Sequence, residues 1–349
     1  MPFAPDYRNI VDAAYNRVPK RTPLYEHIIA PSVAEQVTGR KFAQLLEGDD
    51  RDLVEYFRQY ADFYRQCGYD TVSFECCVGP AMPGSGALGN HAPGCIKNRE
   101  DFEKYPWAQV PDWYFAQFDR YFAALDEAMP AGMRAIGGVG NGVFELAQEV
   151  VGYMDLCYIR MDDPELYADL FRAVGDMMTA IWSRFMERWG DLYAVLRFGD
   201  DLGFKTAPLI PGDDIRNYII PQYRRVVDVV HAHGKPFLLH SCGNIFEVME
   251  DIIAGAQINA KHSNEDVIAP FAVWVDRYGD RIGNFGGVDT DILCSKTEPE
   301  IREVVREAMA YCQGKGGFAL ASGNSIPDYV PAAGFLAMVD EARRIRGDY

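Results

Sequence analysis

Short apolar runs that each break off on a polar group recur along this chain, with helix-periodic stretches between them. Strands are predicted at Thr71–Phe74, Arg134–Gly137, Ala194–Phe198, Phe237–His240, Gln257–Ala260, Arg281–Phe285 and Phe318–Ala321, with a weaker one near Ala87–Leu88. Asp163-Pro164-Glu165 joins a capping residue, a proline at the first helical position and an acidic first turn. Leu166, Leu170, Phe171, Val174, Met178, Ile181 and Phe185 then repeat at helical spacing up to Gly190, and are read as core. A helix from about Asp213 to His233 is expected to kink at Pro221. Thr297-Glu298-Pro299-Glu300 is a capping box. Before residue 60 the chain reads as helical and partly irregular, punctuated by Pro19, Pro23 and Pro31, with Asp49-Asp50-Arg51-Asp52 opening a helix through Tyr64.

Strands alternating with helices imply a parallel sheet, and about eight such units close most naturally into a (β/α)8 TIM barrel, an α/β fold. The expected division is an N-terminal helical extension over residues 1–65 and a barrel domain over 66–349. In this fold the C-terminal strand ends carry the chemistry. Those ends are polar: Glu75, Cys76 and Cys77; Asp200 and Asp201; His240 and Cys242; Lys261 and His262; Asp289; Ser322 and Asn324. The Gly/Pro-rich stretch Val78–Gly94 is long enough to fold over such a site.

Within that set His240 and Cys242 stand out. Two residues apart on an extended chain, they project to the same side, and an imidazole with a thiolate suits zinc. Packing as a core histidine and a small buried hydrophobe is the plain alternative. Glu75 at a strand end could serve as acid, base or metal ligand, since a partly buried carboxylate needs a partner or a raised pKa. Asp200 and Asp201 are read equally as loop caps and as substrate contacts. Gly138-Val139-Gly140-Asn141-Gly142 looks like a phosphate cradle but lacks the spacing of a dinucleotide fingerprint, so a strand-to-helix turn is expected there.

Composition narrows the partners. A net charge of −17 disfavours nucleic acid and anionic membranes, since phosphate recognition needs a basic surface. Eight cysteines occur without a C-x-x-C pair, so reduced thiols are expected. No apolar run approaches the roughly 20 residues that cross a bilayer. Met1-Pro2-Phe3-Ala4-Pro5-Asp6 has no secretory pattern, which gives a cytoplasmic expectation.

Gly142-Val143-Phe144-Glu145, Asp162-Asp163-Pro164-Glu165, His240-Ser241-Cys242-Gly243-Asn244, Gly286-Gly287-Val288-Asp289 and the stretch from Ile326-Pro327 to Pro331 resemble the uroporphyrinogen decarboxylase-like superfamily, specifically its cobalamin-dependent methyltransferases. The resemblance implies a zinc ion on His240 and Cys242, a corrinoid supplied by a partner protein, and a small methylated substrate of the methoxyl or methylamine type. The family's third ligand, a cysteine after the last strand, is replaced here by Asn324 in Ser322-Gly323-Asn324. Glu75, Cys76 or Cys77 could complete the site; the preferred reading is a demethylating member that needs no third cysteine. Glu75, Asp201 and His262 are the expected catalytic groups, and Asp200, Asn244, Asp289 and Asn324 the expected substrate contacts. A homodimer is carried as a further expectation. The alternatives are a decarboxylase-like enzyme, disfavoured because the arginine-bearing signature that grips porphyrinogen carboxylates is missing from the first 60 residues, and a non-catalytic barrel that binds a tetrapyrrole or corrinoid.

Overall fold

A computed structural model describes residues 3–89 and 92–348. The start of the Met1–Asp6 stretch and the middle of the Gly/Pro-rich segment, Asn90 and His91, lie outside the described residues. Seven parallel strands form one sheet in sequential order: β1 Thr71–Cys77, β2 Arg134–Gly140, β3 Tyr193–Gly199, β4 Phe237–His240, β5 Ala260–His262, β6 Gly283–Val288 and β7 Phe318–Ser322. Helices between successive strands cover the outside, which makes the molecule a (β/α)8 barrel preceded by helical segments at Arg8–Ala14, Pro31–Thr38 and Asp50–Gln66.

The eighth stave comes from the start of the chain. Leu24 and Ile29 form parallel bridges with Leu320 and Ile326, and the Tyr25 N–H donates to the Leu320 carbonyl at 2.9 Å. From the other side the Ser73 hydroxyl of β1 donates to the His27 carbonyl. Residues 24–29, counted with the extension in the sequence, therefore stand in the barrel wall between β7 and β1, and β4 is the fifth stave. The weak strand expected at Ala87–Leu88 is a turn instead. Two other strands start later than their patterns imply. The fifth begins at Ala260, because Gln257 takes a left-handed conformation and ends the preceding helix, and the sixth begins at Gly283.

Alternation along the strands sorts the side chains. Leu238, Phe285, Ala319 and Ala321 pack inside the barrel with Tyr25, while Phe237, Leu239 and Leu320 join the large cluster between sheet and helices. Ile10, Ala13 and Ala14 of the first helix belong to the inner cluster, and this helix plugs the end of the barrel where the strands begin: a Cβ on Gly283 or Gly317 would strike the Ala13 carbonyl. Helix signals read from the sequence hold locally. Asp163 accepts the Leu166 N–H at 2.9 Å, and Glu300 reaches back to the Thr297 N–H at 2.8 Å. Ahead of Pro221, which has no N–H to donate, the turn Ile215–Ile219 widens to a π-helix.

At the opposite end of the interior, Arg197 of β3 is fully buried. Its Nη1 donates to Tyr25 Oη, the His27 carbonyl and Ser73 Oγ, each at 2.9 Å. Its Nη2 and Nε donate to Glu75 Oε2 at 2.6 and 3.1 Å. One guanidinium thus ties the N-terminal stave to β1 and β3. Arg197→Met should lower unfolding stability in urea by about 3–5 kcal/mol, because Glu75 is left buried and unpaired. Arg197→Met with Glu75→Gln should recover much of that loss, and a double variant no better than the single would show that the pair is not what matters.

Candidate metal and active site

His240 ends β4 and His262 ends β5, in register as Cα partners. Their Nδ1 atoms lie 2.8 Å apart, and His262 Nε2 lies 2.9 Å from the Ser322 carbonyl at the end of β7. A carbonyl can only accept, so His262 carries its proton on Nε2 and presents Nδ1 as an acceptor. His240 must then carry its proton on Nδ1, and its Nε2 keeps a free lone pair. That lone pair is 3.4 Å from Cys242 Sγ, close to the roughly 3.5 Å edge of a tetrahedron with one Zn–S and one Zn–N bond. Burial pushes all three imidazoles at this mouth towards the neutral form: it lowers His240 and His27 well below the usual range, and His262 to about 3.

Asp201, His240 and Cys242 offer ligand atoms all within 4.8 Å of one another, and so do His27, His240 and His262. The first group is the usable one. Both nitrogens of His262 are engaged, and His27 stacks face to face on His240 with ring centroids 3.7 Å apart. The donor set of carboxylate, imidazole and thiol is compatible with zinc. His262 fixes the tautomer and orientation of His240, and would act through it on any metal held there. The groups at the end of β1 that the sequence offered as completing ligands belong to no such cluster among the described residues: Glu75 is bound by Arg197, and neither Cys76 nor Cys77 joins one. The carboxylate that the structure places with His240 and Cys242 is Asp201.

Cys242 is fixed from several sides. Its N–H donates to Asp201 Oδ1 at 2.9 Å. Asn324 Nδ2 donates to its sulfur at 3.3 Å, and the amide cannot flip away because Asn324 Oδ1 accepts the Ser325 N–H at 2.8 Å. Burial and the Asp201 carboxylate hold the thiol pKa well up, so thiolate here calls for a cation as well as the Asn324 donor. Gly243 follows at φ +83°, and a Cβ on it would sit 2.1 Å from the Gly203 backbone, so only glycine lets these two loops meet.

The other expected contacts sit differently. Asp200 is fully buried and accepts the N–H groups of Phe144 and Glu145 at 2.9 and 2.8 Å and the Tyr223 hydroxyl at 2.5 Å. It caps the helix Val143–Val151, which leaves it no open side for a substrate. The same contact fills the end of the glycine run with a protein carboxylate where a phosphate would need to lie, and the run is a strand-to-helix turn. Asn244 holds its own loop, its side-chain oxygen accepting the Phe246 N–H at 3.3 Å. Asp289 caps the helix Thr290–Ser295, accepting the Asp291 N–H at 2.8 Å, and also lines a cleft beside Asn324. The described part of the Gly/Pro-rich segment is stitched to the helix Val143–Val151, with the Ala87 N–H donating to the Glu149 carbonyl at 3.2 Å and the Gly86 N–H to Glu149 Oε2 at 2.6 Å.

Several site groups escaped the sequence reading: His27, Arg197, Glu26 and Glu145. Glu145 lies in the Gly142–Glu145 motif and accepts the Asp201 N–H at 3.3 Å. Burial, then Asp200 and Asp201, raises its pKa well above the carboxylate range. Glu26 is buried against Ser322, and burial pushes its pKa up to about 8. The Ser322 hydroxyl donates its proton to the Asn324 carbonyl at 2.9 Å, so its contact with Glu26 Oε2 is best made by a protonated carboxyl donating to it. Lys261 takes the outer side of β5, its ammonium 3.7 Å from the Trp274 ring centre, and burial lowers its pKa to about 7.

The uroporphyrinogen decarboxylase (URO-D) family model matches residues 96–345, and the chain belongs to that family. No curated protein matches it by sequence. Among solved structures it resembles a methyltransferase from Methanosarcina mazei at 14% identity, with TM-score 0.73, over 98% of this chain and 99% of that one. It also resembles a putative vitamin-B12 independent methionine synthase from Listeria monocytogenes at 14% identity, with TM-score 0.51, over 99% of each chain. No helix among the described residues is long and apolar enough to cross a membrane.

Two outcomes follow from the site. His262→Ala should weaken zinc binding about 10- to 100-fold in competition with a chromophoric chelator; unchanged affinity would mean that His240 does not depend on the relay. For Glu26, below pH 4.5 folded and unfolded chains both hold the proton, while between 4.5 and about 8 the unfolded chain releases it first. Its contribution to stability is therefore lost as pH rises through that window. Glu26→Gln should flatten the fall in urea midpoint between pH 5 and pH 8, and equal slopes in both proteins would refute the buried acid.

Proposed function

We propose that the chain is a corrinoid-dependent methyltransferase, moving a methyl group between a small methylated substrate and the cobalt of a corrinoid carried by a partner protein. The observation that carries this reading is the Asp201, His240 and Cys242 donor set, with the His240 lone pair aimed by His262 and Ser322. Bound there, zinc would supply Lewis acidity to the heteroatom that loses or accepts the methyl group. The structural likeness to a methyltransferase over nearly the whole chain supports the same reading.

The protein's own groups divide the work. Asn324 stabilises charge on the Cys242 sulfur, and the relay keeps a proton on His240 Nδ1 and off Nε2. Glu145, whose pKa burial and then Asp200 and Asp201 raise well above the carboxylate range and which accepts the Asp201 N–H at 3.3 Å, is assigned the role of giving a proton to a departing heteroatom. It takes the acid role that the sequence assigned to Glu75 and His262, because Glu75 is held by Arg197 and His262 has both nitrogens engaged. Asp201 joins the metal set instead of acting as a free base.

The mouth does not favour the decarboxylase alternative. Asp201 at the site and Glu265, Asp289 and Asp291 in the adjoining cleft surround it with carboxylates, and Arg197, the buried arginine beneath among the described residues, is committed to Glu75. A substrate rich in carboxylates would meet like charge with no free guanidinium to grip it.

Mixing the zinc-loaded protein with cob(I)alamin and a panel of methoxyarenes, methylamines and betaines should produce the absorbance of methylcobalamin with at least one donor. Glu145→Gln should slow that reaction about 10²- to 10⁴-fold. A panel with no response would overturn the methyltransferase reading, and an unaffected Glu145→Gln would move the proton donor elsewhere.

A further inference from the structure

Besides His240, two side chains contact the Cys242 sulfur. One is the Asn324 amide at 3.3 Å; the other is the Ser263 hydroxyl, 3.7 Å away, a distance that suits the large radius of sulfur. A neutral thiol could give its own proton to Ser263, but a sulfur bound to a metal has none and can only accept. Ser263 Oγ and Asn324 Nδ2 are then both donors to it, and donors to a charged atom are the strong ones. Ser263 is 2% exposed, and Cys242 is the only partner of its hydroxyl among the described residues. Buried away from solvent, that O–H is committed to the sulfur.

Ser263 is clamped from both sides along the chain. Before it, the buried Lys261 donates from Nζ to the Ser263 carbonyl while its ammonium rests on the Trp274 ring. A buried ammonium with no opposite charge is costly, and the ionisable groups that act on this one are Cys242 first, then Glu265 and Asp201. After it, the Asn264 N–H donates to the Gly323 carbonyl at 2.8 Å, and Asn264 Nδ2 to the Phe285 carbonyl of β6 at 2.9 Å. Gly323 directly precedes Asn324. The loop after β5 and the loop after β7, which supply the two donors to the sulfur, are therefore bonded to each other.

We infer that Ser263 is a positioning residue for the Cys242 ligand: together with Asn324 it draws charge off the sulfur, and Lys261 holds it in place to do so. This rests on Asp201, His240 and Cys242 as metal donors and, for its use, on the methyltransferase reading. A thiolate whose charge is shared between two donors gives less of it to a metal, which leaves more Lewis acidity for the substrate heteroatom. A donor set with one sulfur, and that sulfur hydrogen-bonded twice, is electron-poor by construction.

Cobalt(II) loaded in place of zinc gives a sulfur-to-metal charge-transfer band, which reports the energy of the sulfur lone pair and needs neither corrinoid nor methyl donor. Cys242→Ser should abolish the band. Ser263→Ala should move it to longer wavelength, because a sulfur that loses a hydrogen-bond donor gives up an electron more readily. Ser263→Thr, which keeps the hydroxyl, should leave it near the wild-type position. Lys261→Met, which packs on Trp274 but releases the Ser263 carbonyl, should shift it the same way by less; it carries the test if circular dichroism shows Ser263→Ala unfolded. With zinc loaded, Ser263→Ala should lower kcat for methylcobalamin formation about 10-fold, with little change in the KM of the methyl donor. The inference is overturned if the band stays in place in Ser263→Ala, if it moves as far in Ser263→Thr, if it survives Cys242→Ser, or if the protein binds neither cobalt(II) nor zinc. An unmoved band in a Ser263→Ala protein that still forms methylcobalamin would sink this inference and spare the methyltransferase reading. The band shifts as described, with no methyl transfer from any donor, would do the reverse.

Discussion

A guanidinium with no access to water governs the interior of this barrel. Arg197 must have its charge balanced and its N–H groups satisfied inside the protein, since a buried ion left unpaired costs several kcal/mol. The partners that meet this demand come from two places: Glu75 and Ser73 on β1, and Tyr25 and the His27 carbonyl on the N-terminal stave. Satisfying one side chain therefore fixes where the chain's first stave sits against β1 and β3. It also brings His27 down onto the face of His240. The uncharged character of the histidine cluster follows in part from the same source, because Arg197 is among the charges that, after burial itself, disfavour protonation of all three rings.

Above that layer the polar groups are arranged by direction of hydrogen bonding. The Ser322 carbonyl can only accept, and this single fact orders the protons on His262 and then on His240. A lone pair is delivered to the side of Cys242 with no charged group needed to enforce it. Ser322 also joins Glu26 to Asn324, so β7 supports both the histidine relay and the amide that contacts the sulfur. After its last strand the protein presents an amide donor to the Cys242 sulfur, and an aspartate from the end of β3 stands within reach of the same point.

Much of this was legible in the sequence because strand ends are easy to read. His240 and Cys242, Asp201, His262 and Asn324 were found by asking which polar residues terminate apolar runs in a parallel barrel, and the structure gathers all five. Asp200 follows from the same rule and Asn244 from the motif around Cys242, yet one caps a helix and the other ties a loop; period and polarity do not say which of two neighbouring carboxylates turns inward. Arg197 was read only as a strand residue, since a charge in an apolar run has meaning only when its partners are known. His27 and Glu26 were missed for a different reason. Leu24-Tyr25-Glu26-His27-Ile28-Ile29 is a six-residue run with β-forming residues, bounded by Pro23 and Pro31, and so carried a strand signal. The flanking prolines also punctuate a helical extension, and that pattern masks the strand.

The closure of the wall by residues 24–29 has a kinetic side. Glu26 and Ser322, 296 positions apart, must meet before the last gap in the barrel is filled. At ordinary rates of synthesis, that separation takes roughly 15–60 s to be made on the ribosome. Through this interval the first stave has no β7 to pair with, and Tyr25 and His27 lack the surroundings that later bury them. Such long-range closure is slow in folding generally, because the entropy of the loop is lost before its contacts form. Asp201, His240 and Cys242, at the ends of β3 and β4, can be in place earlier, but the carbonyl that orders the histidine protons arrives last, with β7. Assembly of a competent site is thereby coupled to completion of the fold, and a nascent barrel lacks the proton order that presents His240 to a metal.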